Sequence, residues 1–117
     1  MKTIVLLTVI LLGSFPLYAQ ESIKGLWNTG QENTVIEITH TDNTIEGKIA
    51  SSDNIEAPIG QLIVKDISLK NNVYKGKLFS IKRRKWLNAT FKNEGEQLVI
   101  KVSAGLRKRT VKWDKAN

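Results

Sequence analysis

From Lys24 to the C-terminus the apolar residues recur in short runs with a two-residue period, and clusters of Asn, Asp and Gly separate the runs. That pattern predicts eight strands, at Lys24–Thr29, Thr34–Thr41, Thr44–Ala50, Gln61–Leu69, Val73–Ile81, Trp86–Phe91, Gln97–Ser103 and Arg107–Trp113. No segment there carries a sustained 3.6-residue apolar stripe, so no helix longer than a turn or two is expected. Most connections are short: Asp42-Asn43, Asn71-Asn72, Asn93-Glu94-Gly95 and Ala104-Gly105. Asn and Gly at these points tolerate the positive φ that tight hairpins require.

The alternation also assigns faces. Ile45, Gly47 and Ile49 share one side of their strand, as do Tyr74, Gly76 and Leu78, and Leu98, Ile100 and Val102. The run Leu62–Leu69 changes phase part-way, which a bulge near Lys65-Asp66 would explain. Successive strands joined by short turns are antiparallel neighbours. A twisted eight-strand meander with one apolar face removes its exposed edges by rolling up. The expected fold is therefore all-β, a small up-and-down antiparallel eight-stranded β-barrel, with an open sandwich as the alternative. The long stretch Ser51–Gly60, with Ile55, Pro58 and Ile59, is expected to act as a flap over one barrel mouth.

The N-terminal stretch reads differently. Lys2 precedes the apolar run Ile4–Leu12, Gly13, Ser14 and Pro16 break any helix, and Ala19 stands before Gln20. This is the layout of a secretory signal peptide, and the run falls short of the roughly 20 residues that span a bilayer. Cleavage after Ala19 is expected, leaving residues 20–117 as one domain in a periplasmic or extracellular compartment, without a stable membrane anchor. The whole chain has 117 residues, with 18 Lys and Arg against 11 Asp and Glu. Having no Cys, it has no disulfide, thiolate metal site or cysteine nucleophile. With disulfides absent from so small an exported domain, burial and backbone pairing must supply its stability.

Chemistry-bearing patterns are sparse. Glu37, His40 and Asp42 lie near the second hairpin with Glu46 across the turn, and Asp53 follows in the long loop. Glu37 alternates away from His40, and a His beside a turn is ordinarily a solvated ring. No Ser lies in a nucleophile elbow, the glycines form no phosphate loop, and Asp53, Asn54 and Glu56 are too few to hold calcium. The expectation is a protein that is not an enzyme and uses no cofactor or metal. The most distinctive polar feature is Lys82-Arg83-Arg84-Lys85, at a hairpin tip, with Arg107-Lys108-Arg109 opening the last strand. Because strands alternate direction, the end of the fifth and the start of the eighth can lie at one barrel end, where the runs would form an anion-binding patch for an acidic glycan, lipid headgroup or protein; the alternative is solvated turns that block edge pairing. Nucleic acid, which would stack on Trp86, is disfavoured by the export signal. Asn88-Ala89-Thr90 matches a glycosylation sequon that matters only in a eukaryotic secretory route.

Gly25-Leu26-Trp27 resembles the opening motif of the calycin barrels: lipocalins, fatty-acid-binding proteins and avidins. In those families the Trp closes one barrel end beneath a basic side chain of the last strand, which implies a cation–π contact between Trp27 and Arg109 here. A wider resemblance takes in the leader, Gly25-x-Trp27, Gly47-Lys48-Ile49, Pro58-Ile59-Gly60, Tyr74-Lys75-Gly76, Leu98–Val102 and Trp113. It is to the exported bacterial family numbered two-one-four-seven among the domains of unknown function, calycin-like in shape. The chain departs from that family's pattern at Tyr74, where a Trp is usual, at Ser80-Ile81, near a favoured Asp-Pro, and at Ala57, where an Arg is usual.

Trp27, Tyr74, Trp86 and Trp113 are expected first as barrel filling. The leading functional expectation is an exported binder of a small apolar or amphipathic ligand, lined by Trp27, Tyr74, Leu78, Ile100 and Trp113 under the Ser51–Gly60 loop. The second is an interaction module that holds an anionic envelope component through Lys82, Arg83, Arg84, Lys85, Arg107 and Arg109. A barrel hydrolase or isomerase using Glu37, His40 or Asp53 is the third.

Overall fold

The structure, a computed structural model, describes residues 21–117. The expected signal peptide and its cleavage point after Ala19 lie outside the described residues. Eight strands follow one another: β1 Gly25–Asn28, β2 Val35–His40, β3 Ile45–Ser51, β4 Leu62–Lys70, β5 Val73–Ser80, β6 Lys85–Asn93, β7 Gln97–Ala104 and β8 Arg107–Ala116. Each pairs antiparallel with its chain neighbour, and β1 pairs with β8 through Leu26–Ala116, Trp27–Lys115 and Asn28–Asp114, closing an up-and-down barrel. Among the described residues there is no helix. The open sandwich is excluded by the β1–β8 ladder.

The two-residue period sends one side of every strand inward. Ile36 and Ile38, Ile49, Val64, Phe91, Leu98 and Ile100 are all essentially buried and form one continuous core. The phase change in β4 is a bulge: the register with β5 shifts between Lys65 and Ser68, and Asp66 takes a φ of 56°. Gly76 on β5 makes room for it, since a Cβ there would lie 2.8 Å from the Lys65 carbonyl oxygen. On the neighbouring ladder Gly47 opposes Val64, whose Cβ would stand 2.9 Å from a side chain at 47.

Strand direction sorts the connections between two ends. The turns β2–β3, β4–β5 and β6–β7 lie at one end with Gly25 and Ala116, here called the base. The connections β1–β2, β3–β4, β5–β6 and β7–β8 lie at the other, the mouth. The base is plugged by the segment before β1. Ile23 is completely buried, its carbonyl accepts a 2.9 Å bond from the Trp27 indole N–H, and Asn93 Nδ2 donates to the Ser22 carbonyl at 2.7 Å.

The outward positions of β5–β8 are mixed: Lys75, Lys77, Asn88, Thr90, Lys101 and Lys112 are polar, while Val73, Phe79, Trp86 and Val99 are apolar. Trp86, expected inside, faces outward. It pairs with Phe79, the rings meeting edge-on at 5.3 Å, and the Lys65 ammonium sits 4.3 Å from its centroid. The cause is parity: its neighbour Leu87 opposes the inward Leu78, so Trp86 must take the other face.

Candidate functional site

The mouth opens into a cavity of about 380 Å³. Its walls come from inward positions near the mouth end of the strands: Ile36, Ile49, Ile63, Leu78, Leu87 and Val111. Trp113 lies deepest along β8, where its partner is the fully buried Leu98. Higher up, Thr29, Gln31, Thr34 and Ser80 supply hydroxyl and amide groups, and Lys82, Arg83 and Arg109 supply positive charge. The gradient from apolar floor to cationic rim follows from the sequence of β8, where Arg109, Val111 and Trp113 share one face in order of increasing depth.

Of the five residues expected to line a ligand, Leu78 and Trp113 do so. Trp27, Tyr74 and Ile100 are buried in the core and do not line the cavity, although Trp27 and Ile100 stand across their ladders from the wall residues Ile36 and Val111. The expected stacking of Arg109 on Trp27 is not formed. Trp27 pairs with Lys115, six residues along β8 from Arg109, a separation of about 20 Å on an extended strand. Arg109 pairs with Val102 and reaches into the mouth instead. Sequence reasoning missed the wall residues Ile36, Ile49, Ile63, Leu87 and Val111. Their inward parity was readable, but which end of the barrel stays open was not.

The Ser51–Gly60 segment does not close the mouth. None of its residues lines the cavity, and Ile55 is 98% exposed. The segment is held to the side by the β1–β2 connection: Asp53 N donates to the Glu32 carbonyl, Asn33 Nδ2 to the Asp53 carboxylate, and the Thr34 and Ser52 hydroxyls share a bond, each at 2.8 Å. Its return is fixed by Gly60 N to the Ile49 carbonyl at 2.7 Å.

All six expected anion-binding residues lie at the mouth end, because the β5–β6 and β7–β8 turns both fall there. The β5–β6 turn is shaped by Arg83 N donating to Ser80 Oγ and by Arg84 at a φ of 55°.

The titratable residues of the second hairpin do not converge. Glu37 points outward, opposite Lys48. His40 lies at the base, 3.5 Å from Ser22 Oγ and edge-on to Tyr74. Partial burial, and secondarily the charge of Lys24, lower the His40 pKa below its ordinary value. Asp53 is at the mouth, on the far end of the barrel. Among the described residues no three His, Asp or Glu side chains are placed to hold a metal ion. No family model, curated protein or solved structure matches this chain.

Proposed function

We propose that this protein is an exported, non-enzymatic carrier that holds a small amphipathic molecule in the barrel mouth. The observation that carries the reading is the cavity itself, with an apolar floor and walls beneath a rim bearing Lys82, Arg83 and Arg109. Its volume is at the low end of ligand pockets, which run from about 300 to 1,000 Å³, so the occupant is small. Burial of its apolar body against Leu78, Leu87, Val111 and Trp113 supplies the affinity, and an anionic or hydrogen-bonding head at the rim sets its orientation. Export is supported by the leader pattern of residues 1–19, and the calycin-like reading, with membership of family two-one-four-seven, by the Gly25-x-Trp27 opening and the other motifs quoted above.

Native mass spectrometry with decanoate and decanol tests this. A one-to-one decanoate adduct is expected, with Arg109→Ala weakening it roughly tenfold while leaving decanol binding nearly unchanged. Val111→Trp, which fills the cavity, should abolish both. The carrier reading fails if neither amphiphile binds, or if Val111→Trp binds them like the unaltered chain.

A further inference from the structure

The sequence leaves the two basic tips open between solvated turns and an anion-binding surface. Their apolar neighbours decide more. Five large hydrophobic side chains are conspicuously exposed among the described residues, and four of them, Ile55, Ile59, Ile81 and Leu106, sit on mouth-end connections. Two of these open a basic run: Ile81-Lys82-Arg83-Arg84-Lys85 and Leu106-Arg107-Lys108-Arg109. Ile81 is 63% exposed and Leu106 fully so. The two tips belong to adjacent hairpins, two strand spacings or about 10 Å apart.

Charge is distributed unevenly around and along the barrel. Residues 21–64 hold two basic and seven acidic side chains, while residues 65–117 hold fifteen basic and four acidic. The first part is thus net −5 and the second net +11. At the base the turns carry Asp42, Glu94 and Glu96. At the mouth the acidic Glu32, Asp53 and Glu56 lie on the β1–β2 and β3–β4 connections, and the basic runs on the β5–β6 and β7–β8 turns. Among the described residues one ion pair forms within 4 Å, Lys92–Glu94, so the cations of the tips are not neutralised internally.

We infer that the β5–β6 and β7–β8 tips dock the protein, mouth first, on an anionic lipid surface. Ile81 and Leu106 enter the interface, and Lys82, Arg83, Arg84, Lys85, Arg107 and Lys108 contact headgroups. A soluble polyanion would use the charges but has no need of two exposed aliphatic tips. A bilayer uses both, since apolar insertion and headgroup attraction reinforce one another at its surface. The acidic side of the mouth is repelled, so the barrel tilts onto its β5–β8 side. Docking does not depend on what fills the cavity, but it aims the cavity's opening at the membrane.

The test is flotation of the mature chain with vesicles of phosphatidylcholine alone and of equal parts phosphatidylcholine and phosphatidylglycerol. Binding to the anionic vesicles is expected to be at least about tenfold tighter, and to fall as salt rises. Leu106→Ser and the triple variant Arg84→Gln/Arg107→Gln/Lys108→Gln should each lower it roughly tenfold. Lys24→Gln with Lys115→Gln, at the base, should leave it unchanged. All these positions lie outside the cavity lining, so decanoate binding and thermal midpoint, read in parallel, should match the unaltered chain. Equal binding to both vesicles, indifference to Leu106→Ser, or capture by dextran sulfate without capture by anionic vesicles would each overturn the inference. Decanoate binding retained in any of those cases leaves the carrier reading standing.

Discussion

A methyl group added at Gly76 would stand 2.8 Å from the Lys65 carbonyl oxygen, 3.1 Å from that of Asp66, and against the Ile67 side chain. Backbone on one side and a core residue on the other leave little room to yield, and the bulge that would have to move also turns β4 into register. Gly76→Ala is therefore expected to cost about 2–3 kcal/mol in urea unfolding, at the upper end of overpacking effects. His40 sets a second expectation. Its pKa is lowered in the folded chain, by burial first and Lys24 second, so the unfolded chain binds more protons just below the ordinary imidazole value of 6.5. That contribution to stability is complete above the unfolded value and is lost as pH falls through the lowered one. Thermal midpoints of the unaltered chain should drop more between neutral pH and about pH 5 than those of His40→Gln. An absent or opposite difference would refute the assignment. Little of this was written in the local sequence. The phase change at Lys65-Asp66 announced a bulge, but only its opposition to Gly76 identifies the glycine it needs.

At the scale of elements the strands were the most legible feature. Alternation and turn residues placed all eight, each expected span overlapping its observed strand, because a half-buried strand writes its burial at every second residue. The shortest element proved the most consequential. The segment before β1 makes no ladder of its own, yet Ile23 closes the base and Trp27 is anchored to it. Ile23→Ala should lower unfolding free energy by about 2–4 kcal/mol, the range for emptying a filled aliphatic site. The mouth cavity, which Ile23 does not line, should keep its decanoate affinity, measured on the folded fraction. The long loop shows the opposite failure. Its apolar residues suggested a lid, but hydrogen bonds between the Asp53 region and the β1–β2 connection hold it aside. Such bonds join segments about 20 residues apart and leave no periodic trace.

Across the whole molecule, Ile23 closes one barrel end and the other opens into a cavity, and the functional reading rests on that difference. The sequence by itself determined the strands, their order, their inward faces and the excess of positive charge, since each depends on neighbours along the chain or across a short hairpin. Tertiary structure alone decided the rest. Ring closure brought β1 to β8 at Lys115 rather than Arg109, which freed the guanidinium for the mouth. It also put the cavity at the end where alternating strand direction already places the basic and aliphatic tips of the two hairpins. Both outcomes follow from the relative stagger of the first and last strands and the alternating direction of eight strands. Those quantities accumulate around the circumference, so no local stretch of residues contains them.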